Sequence, residues 1–169
     1  TTSTGYGIAK YDNPEELSVS DRNNIGYQYT DCPLYWISVI YLNFAEAKAE
    51  MGSLTQDDLN NSINKLQARA GLPAMTTTPD ADPANNMGVS NLIWEIRRCR
   101  RCELIMDNWY RYWDLIRWHQ LDKLDSTKYP NTMLGANVSN VPDCEEATKN
   151  GYIDASDAQI RTYEAKHYF

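Results

Sequence analysis

Residues 33–73 read PLYWISVIYLNFAEAKAEMG followed by SLTQDDLNNSINKLQARAGLP, and this stretch decides the fold. Leu34, Ile37, Tyr41, Phe44 and Ala45 recur at helical spacing. Pro33 suits a first helical position, where its missing N–H is not needed, and Asp31 complements the positive end of the helix. Ala45, Ala47 and Ala49 are strong helix formers whose small side chains let a neighbour approach. Gly52 fits the left-handed position just past a helix end. A second helix starts at once. Ser53 to Gln56 and Thr55 to Asp58 both have capping-box spacing, the first with the amide. Leu59, Ile63, Leu66 and Ala70 then draw one apolar stripe, which Gly71 closes and Pro73 forbids from continuing. Two helices joined by so short a link lie antiparallel. The expectation is helices over 33–51 and 55–70, with Leu59, Ile63 and Leu66 facing Phe44, Tyr41 or Ile37.

Working outward, residues 73–89 hold Pro73, Pro79, Pro83 and Gly88 in a Thr/Asp/Asn mix, the composition of a long surface loop of the kind that often carries function. A third helix is expected over 90–106, starting at Ser90 or Asn91, with a stripe of Leu92, Ile96, Cys99, Cys102 or Glu103, and Met106. Asp107-Asn108 reads as a break, because Asn tolerates the left-handed conformation. A fourth helix follows over 109–122, with Trp113, Ile116 and Leu121 inward. Residues 1–32 are rich in Gly, Asn, Ser and Asp and read as loop, with one short strand from Tyr6 to Tyr11. Residues 125–169 read as loop-rich, with helical turns near Glu145 and Ser156. The fold class is therefore all-α with long loops, built of helical hairpins.

The chain has 169 residues, 42% hydrophobic and 23% charged, which is enough for a globular core. Its formal charge of −7 argues against DNA, RNA or an anionic membrane surface as partner, since all three reward positive charge. No apolar run reaches the roughly 20 residues that span a bilayer. Twelve Tyr and five Trp suit half-buried surfaces and flat ligands such as sugar rings, although amphipathic packing accounts for most of them. The sequons at Asn60 and Asn137 are short patterns that chance supplies.

Cys99-Arg100-Arg101-Cys102 has the spacing of a zinc or redox pair. Only Cys32, Cys144, His119 and His167 remain to complete a metal site, and no second close pair exists. Both thiols also fall on the apolar stripe, where cysteine serves as a small hydrophobe. The expectation is that both are buried, reduced and metal-free. Arg97, Arg98, Arg100 and Arg101 form a basic cluster, but Glu95, Glu103, Asp107 and Asp114 lie at ion-pairing distances along the helix, so salt-bridge networks are expected rather than phosphate binding. The carboxylate pairs Asp57-Asp58 and Glu145-Glu146 are adjacent in sequence and do not bracket a substrate as glycoside hydrolysis requires. No nucleophile elbow and no glycine-rich phosphate loop occurs. The residues assign no catalytic group, no metal and no cofactor.

Three blocks carry a family resemblance. Trp36 to Ala47, WISVIYLNFAEA, and Asn64 to Pro73, NKLQARAGLP, are followed by Glu95 to Leu104, EIRRCRRCEL, and Arg111 to Trp118, RYWDLIRW. In order and spacing they resemble the SusD/RagB-like family of outer-membrane nutrient-binding lipoproteins, over about residues 30–120, with Gly5-Tyr6 to Lys10-Tyr11 as lead-in. Trp36 and Val39 stand where the family carries Arg and Glu, Cys99 where it carries Glu, and Asp107-Asn108 where it carries Glu-Gly with one residue fewer before Arg111.

The resemblance implies a mostly helical fold with tetratricopeptide-like hairpins. It also implies non-catalytic capture of oligosaccharides, or in some branches peptides, for a TonB-dependent outer-membrane transporter, by a lipid-anchored protein on the cell surface. The anchor is expected to lie outside this chain. Residues 1–169 are read as one partial domain, clipped at both ends, so that an apolar patch larger than roughly 300–600 Å² is expected to lie exposed. Arg111 and Asp114 are expected to hold structural ion pairs. No ligand-contacting residue is carried over, because the family's glycan contacts come largely from variable loops. A helical-repeat scaffold for protein partners is the alternative function.

Overall fold

A computed structural model describes residues 4–8, 10, 18–22, 24, 34–107, 109–141 and 148–155. Its elements in chain order are α1 (Val19–Arg22), α2 (Ile37–Glu50), α3 (Gln56–Asn60), α4 (Ile63–Arg69), α5 (Asn91–Glu103), α6 (Tyr110–Arg117) and a 3-10 turn (Leu121–Leu124). Three strands follow, β1 (Leu134–Asn137), β2 (Thr148–Lys149) and β3 (Tyr152–Asp154). The chain is mostly helical. It divides into a helical unit, Pro33–Arg111, and a mixed unit made of Thr1–Cys32 with Tyr112–Phe169.

In the helical unit the expected hairpin forms. Lys48 near the end of α2 pairs with Asp58 in α3 at 2.8 Å, and Tyr41, earlier in α2, lies under Lys65 of α4 at 5.4 Å. Contacts that move backward along one helix as they move forward along the other mean antiparallel chains. Both glycine stops hold. Gly52 has φ +67, with Ser53 N–H bonded to Lys48 O and Gly52 N–H to Ala49 O; Gly71 has φ +69, with Leu72 N–H on Gln67 O and Gly71 N–H on Ala68 O. Each pair of bonds is a Schellman closure, which satisfies the last carbonyls of the helix. At the other end of the link the capping box belongs to Thr55 and Asp58: Thr55 N–H donates to Asp58 Oδ2 at 2.9 Å, and Asp58 N–H donates to Thr55 Oγ1 at 3.2 Å.

The structure corrects four details of the hairpin and the helix after it. The helix expected over 55–70 breaks at Asn61-Ser62, where Ser62 has φ −130 and ψ −96. Ser62 Oγ donates to Asp58 O, the carbonyl its own N–H would use in a continued helix, and the Ser62 N–H turns to Leu59 O, while Asn61 Nδ2 adds a second bond to Asp57 O. The buried face of α2 is Ser38, Val39, Leu42, Ala45 and Glu46, whereas Leu34, Ile37, Ile40, Phe44 and Met51 are exposed and Tyr41 is half-buried. Apolar residues occupy both sides of this helix, so spacing alone did not choose; packing against α5 and the Glu46–Arg97 pair did. In α5, Ile96 is fully buried, but Cys102 and Met106 are exposed and Leu104 takes the inward place. The helix stops at Glu103, and Met106 turns to φ 61. Pro33 and Asp31 lie outside the described residues, where α2 itself begins at Ile37.

The core of this unit gathers Val39, Leu42 and Ala45 of α2, Leu59 of α3, Ile63 of α4, Ile96 of α5, and Met75 and Leu104 from the connections, with Leu66 partly buried against them. Ile63 is 0% exposed.

The mixed unit departs from the all-α expectation. Its strands form a three-stranded antiparallel sheet in the order β1-β3-β2. Asn150 and Gly151, at φ 54 and 79, make the two-residue turn between β2 and β3, the Asn-Gly signature of a type I′ hairpin. Ala136 N–H donates to Thr4 O at 2.8 Å, and a Cβ on Gly135 would collide with the Thr4 carbonyl. Tyr6 to Ile8 are not strand; Ala9 and Tyr11 lie outside the described residues, as do Glu145 and Ser156. The helix expected over 109–122 ends at Arg117, and His119 at φ 53 leads into the 3-10 turn. Leu115, Trp118 and Leu121 are buried, Ile116 is half-buried, and Trp113 is exposed rather than inward.

Candidate functional site

A concavity lies in the helical unit, where the loop after α4 passes α5. Asn64 holds that loop. Met75 N–H donates to Asn64 Oδ1 at 2.7 Å and Asn64 Nδ2 donates to Met75 O at 3.1 Å, a two-bond pairing of side chain with backbone. Gln56 Nε2 adds a third bond to Met75 O at 3.0 Å, and the Met75 side chain is buried in the core. Further along, the Trp94 indole N–H donates to Asp82 Oδ2 at 3.0 Å and Asn85 Nδ2 donates to Val89 O at 2.9 Å. The indole and the Ala84 N–H together hold the Asp82 carboxyl below its ordinary value. A loop with its backbone fixed at Met75 and its end tied at Asp82 presents a defined wall.

Between this wall and the helices runs an open cleft of about 530 Å³, with the 72–80 loop on one side and Gln67, Glu95 and Arg98 on the other. The Thr76 and Thr78 hydroxyls, the Asp80 carboxylate and the Arg98 guanidinium offer donors and acceptors, while Leu72, Pro73 and Pro79 offer apolar faces. Arg98 Nε bonds Glu95 Oε2 at 2.7 Å, which raises the guanidinium's pKa and fixes its direction. Such a mixture suits a hydroxyl-rich ligand with apolar C–H faces. A second hollow of about 190 Å³ shares Gln67, Leu72 and Arg98 with the cleft and is otherwise lined by Ile63, Leu66, Ala70, Cys99, Cys102 and Glu103.

The two cysteines thus reach the same hollow but differ in burial. Cys99 is half-buried and accepts from Gln67 Nε2 at 3.4 Å, and Cys102 is exposed, which corrects the expectation that both are core thiols. An exposed position follows from their spacing: residues three apart share a face only approximately. Burial, then the Glu95 carboxylate, pushes the Cys99 thiol up to about 12, so it stays neutral and is a poor nucleophile at physiological pH. Both are free thiols, and among the described residues no three His, Cys, Asp or Glu side chains group as a metal site.

Two arginines of the basic cluster hold ion pairs as expected, Arg98 with Glu95 of its own helix and Arg97 with partners on another. Arg97 reaches Glu46 at 3.0 Å and Glu50 at 3.2 Å on α2, and Arg69 of α4 meets Glu103. Arg100 is buried, donates to Asn43 Oδ1 at 2.8 Å and lies over the Tyr110 ring. Asp114 is buried and holds Arg117 Nε at 2.9 Å, a structural pair. Arg101 is exposed, Arg111 and Glu103 are half-buried, and Asp107 is buried. Asp58 of the Asp57-Asp58 pair is the capping group of α3, and His119 is exposed at a turn. Cys32, Cys144, Glu145, Glu146 and His167 lie outside the described residues. Asn64 and Gln67 were not singled out from the sequence. An Asn inside a helix and a Gln on an apolar stripe were the available signals, since both residues are unfavourable there without a partner.

No described helix is long and apolar enough to cross a membrane. Among known proteins, the family model described as the SusD family matches residues 1–169. That family is associated with glycan binding for nutrient uptake; its members are generally non-catalytic, outer-membrane-associated lipoproteins of the cell surface. No curated protein and no solved structure gives a match.

Proposed function

We propose, on the premise that the chain belongs to the SusD family, that it captures oligosaccharides at the cell surface and hands them to a TonB-dependent outer-membrane transporter without transforming them. The single observation that carries this reading is the family match over residues 1–169. The anchored 72–80 loop and its cleft are the binding locus we assign, because that wall combines hydroxyl, carboxylate and guanidinium groups with exposed Pro and Leu surface. Under this reading, α2 to α5 pack as tetratricopeptide-like hairpins belonging to a larger lipid-anchored protein. The ion-paired arginines and the high pKa of Cys99 support a binding rather than a catalytic role.

Calorimetric titration of the purified protein with a panel of plant, host and bacterial oligosaccharides tests it. Binding of at least one glycan class with no cleavage product is the expected result. A protein that binds none of the glycans but retains a peptide from a matched peptide panel would replace the sugar with a peptide as ligand. Affinity purification with membrane extract should bring down a TonB-dependent transporter; an extract in which the transporter stays unbound would remove the delivery step.

A further inference from the structure

The cleft, of mixed polarity, and the more apolar, thiol-lined hollow are neighbours with a common wall. Gln67, Leu72 and Arg98 line both. On one side of that wall lie Thr76, Thr78, Asp80 and Glu95 with Pro73 and Pro79; on the other lie Ile63, Leu66, Ala70 and the two cysteines, with Glu103. We infer that this double site takes a saccharide bearing an apolar, ring-sized substituent, the sugar in the polar cleft and the substituent, an aryl group, in the hollow. The inference rests on the glycan-binding reading above and narrows it to a chemical class.

Size and chemistry agree on this occupant. A cavity of about 150 Å³ lined by aliphatic side chains accommodates benzene, so the 190 Å³ hollow takes one six-membered carbocycle. A plain sugar ring would bring several hydroxyls against Ile63, Leu66, Ala70 and Leu72, where they would lose water, and the polar residues of the hollow, Gln67, Arg98 and Glu103, already bond Cys99, Glu95 and Arg69. An aryl ring brings only carbon faces, and sulfur beside an aromatic edge is a favourable contact. Cys99 suits that role because burial keeps it a neutral thiol rather than a charged thiolate. Gln67 sits at the junction. Its amide nitrogen is committed to Cys99 Sγ at 3.4 Å, which turns its carbonyl oxygen toward other donors. The volume of the larger cleft, about 530 Å³, accommodates the saccharide itself.

The test compares phenyl with methyl β-glycosides of glucose, galactose, xylose and mannose, using wild-type protein and calorimetry. For the sugar that binds, the phenyl glycoside should bind about tenfold tighter than the methyl glycoside, the gain expected from burying one ring. Ala70→Leu, a change at an exposed residue on the rim of the hollow, should bring the phenyl-to-methyl ratio close to one. The phenyl glycoside should also slow iodoacetamide alkylation of Cys102, followed on its own peptide by mass spectrometry, because that exposed thiol opens onto the hollow. Equal affinity for both glycosides would overturn the inference and leave glycan binding standing. A phenyl preference that survives Ala70→Leu and leaves Cys102 unprotected would place the ring elsewhere and overturn it too. Should neither these glycosides nor the oligosaccharide panel bind, both readings fall.

Discussion

The two units of this chain reach their folds by different kinds of interaction. In Pro33–Arg111, order is made over short distances. A capping box spans Thr55 and Asp58, Schellman closures end at Gly52 and Gly71, and the α2–α3 link is only a few residues long. The packing of α5 on α2 and α4, through Ile96 and the Arg97–Glu46 and Arg69–Glu103 pairs, then joins residues far apart in sequence. The mixed unit adds strand pairings of that distant kind to its local turns and its β2–β3 hairpin. β1 pairs with β3 across a long connection, and Ala136 reaches back to Thr4 near the start of the chain. Local closure costs less chain entropy than distant closure, so the helical unit depends on its few core side chains while the mixed unit depends on backbone fit at strand crossings.

That contrast can be broken most directly at its two tightest points. Ile63→Ala removes a fully buried side chain from the meeting place of α2, α4 and α5, and should cost about 2–5 kcal/mol in denaturant unfolding. By contrast Ile40→Ala, on the exposed face of α2, should stay within about 0.5 kcal/mol. Comparable losses at both would mean that the outward face of α2 is covered and that its burial has been misread. In the mixed unit, Gly135→Ala drives a methyl group into the Thr4 carbonyl and should cost about 1–3 kcal/mol, since a backbone atom cannot swing aside as a side-chain tip can. A neutral Gly135→Ala would show that the Thr4–Ala136 pairing does not govern this unit.

A smaller effect probes the anchored loop. Asn64→Ala strips two hydrogen bonds from Met75 and should destabilise by about 1–3 kcal/mol, because the Met75 N–H is left buried without its acceptor. The same variant should weaken glycan binding by loosening the cleft wall. Full affinity in a folded Asn64→Ala protein would separate the loop from the binding locus.

The same contrast explains what could be read from the amino acids. The hairpin, its glycine stops and the Arg98–Glu95 pair were legible because each signal lies within a few residues of what it controls, whereas the partners of Arg97 on α2 were not. Which face of α2 turns inward was not, because Ile37, Ile40 and Phe44 compete with Val39, Leu42 and Ala45, and only the partner helix decides. The break at Asn61-Ser62 was readable in principle from two consecutive side chains that bond backbone carbonyls. So was the Asn150-Gly151 turn, a strong hairpin signal that the loop-rich composition around it masked. β1 was not, since Leu-Gly-Ala-Asn has no alternation and acquires strand geometry only from its neighbours. Of the candidate site, the sequence marked the 73–89 loop as a place for function, but not the wall facing it. Gln67, Glu95 and Arg98 come from two helices whose juxtaposition is tertiary.

The smallest effect concerns the link between the paired helices, and it carries a sign. Asp58 accepts from Lys48 Nζ at 2.8 Å and from the hydroxyl and N–H of Thr55, and these bonds, the lysine's first, lower its carboxyl to about 2. In the unfolded chain the same group titrates near 3.9. A depressed folded value means that ionised Asp58 favours the folded state above the unfolded pKa, and that this contribution fades as pH falls from about 4 to about 2. Asp58→Asn should therefore unfold at lower denaturant than wild type at pH 7, with the gap between the two narrowing through that window. The lysine's share of the gap should also shrink in 1 M salt, because the pair is partly exposed, whereas the Thr55 share should persist. If the gap stays constant from pH 7 to pH 2, the ionised carboxylate is not what closes the hairpin, and local closure of the helical unit rests on the glycine stops alone.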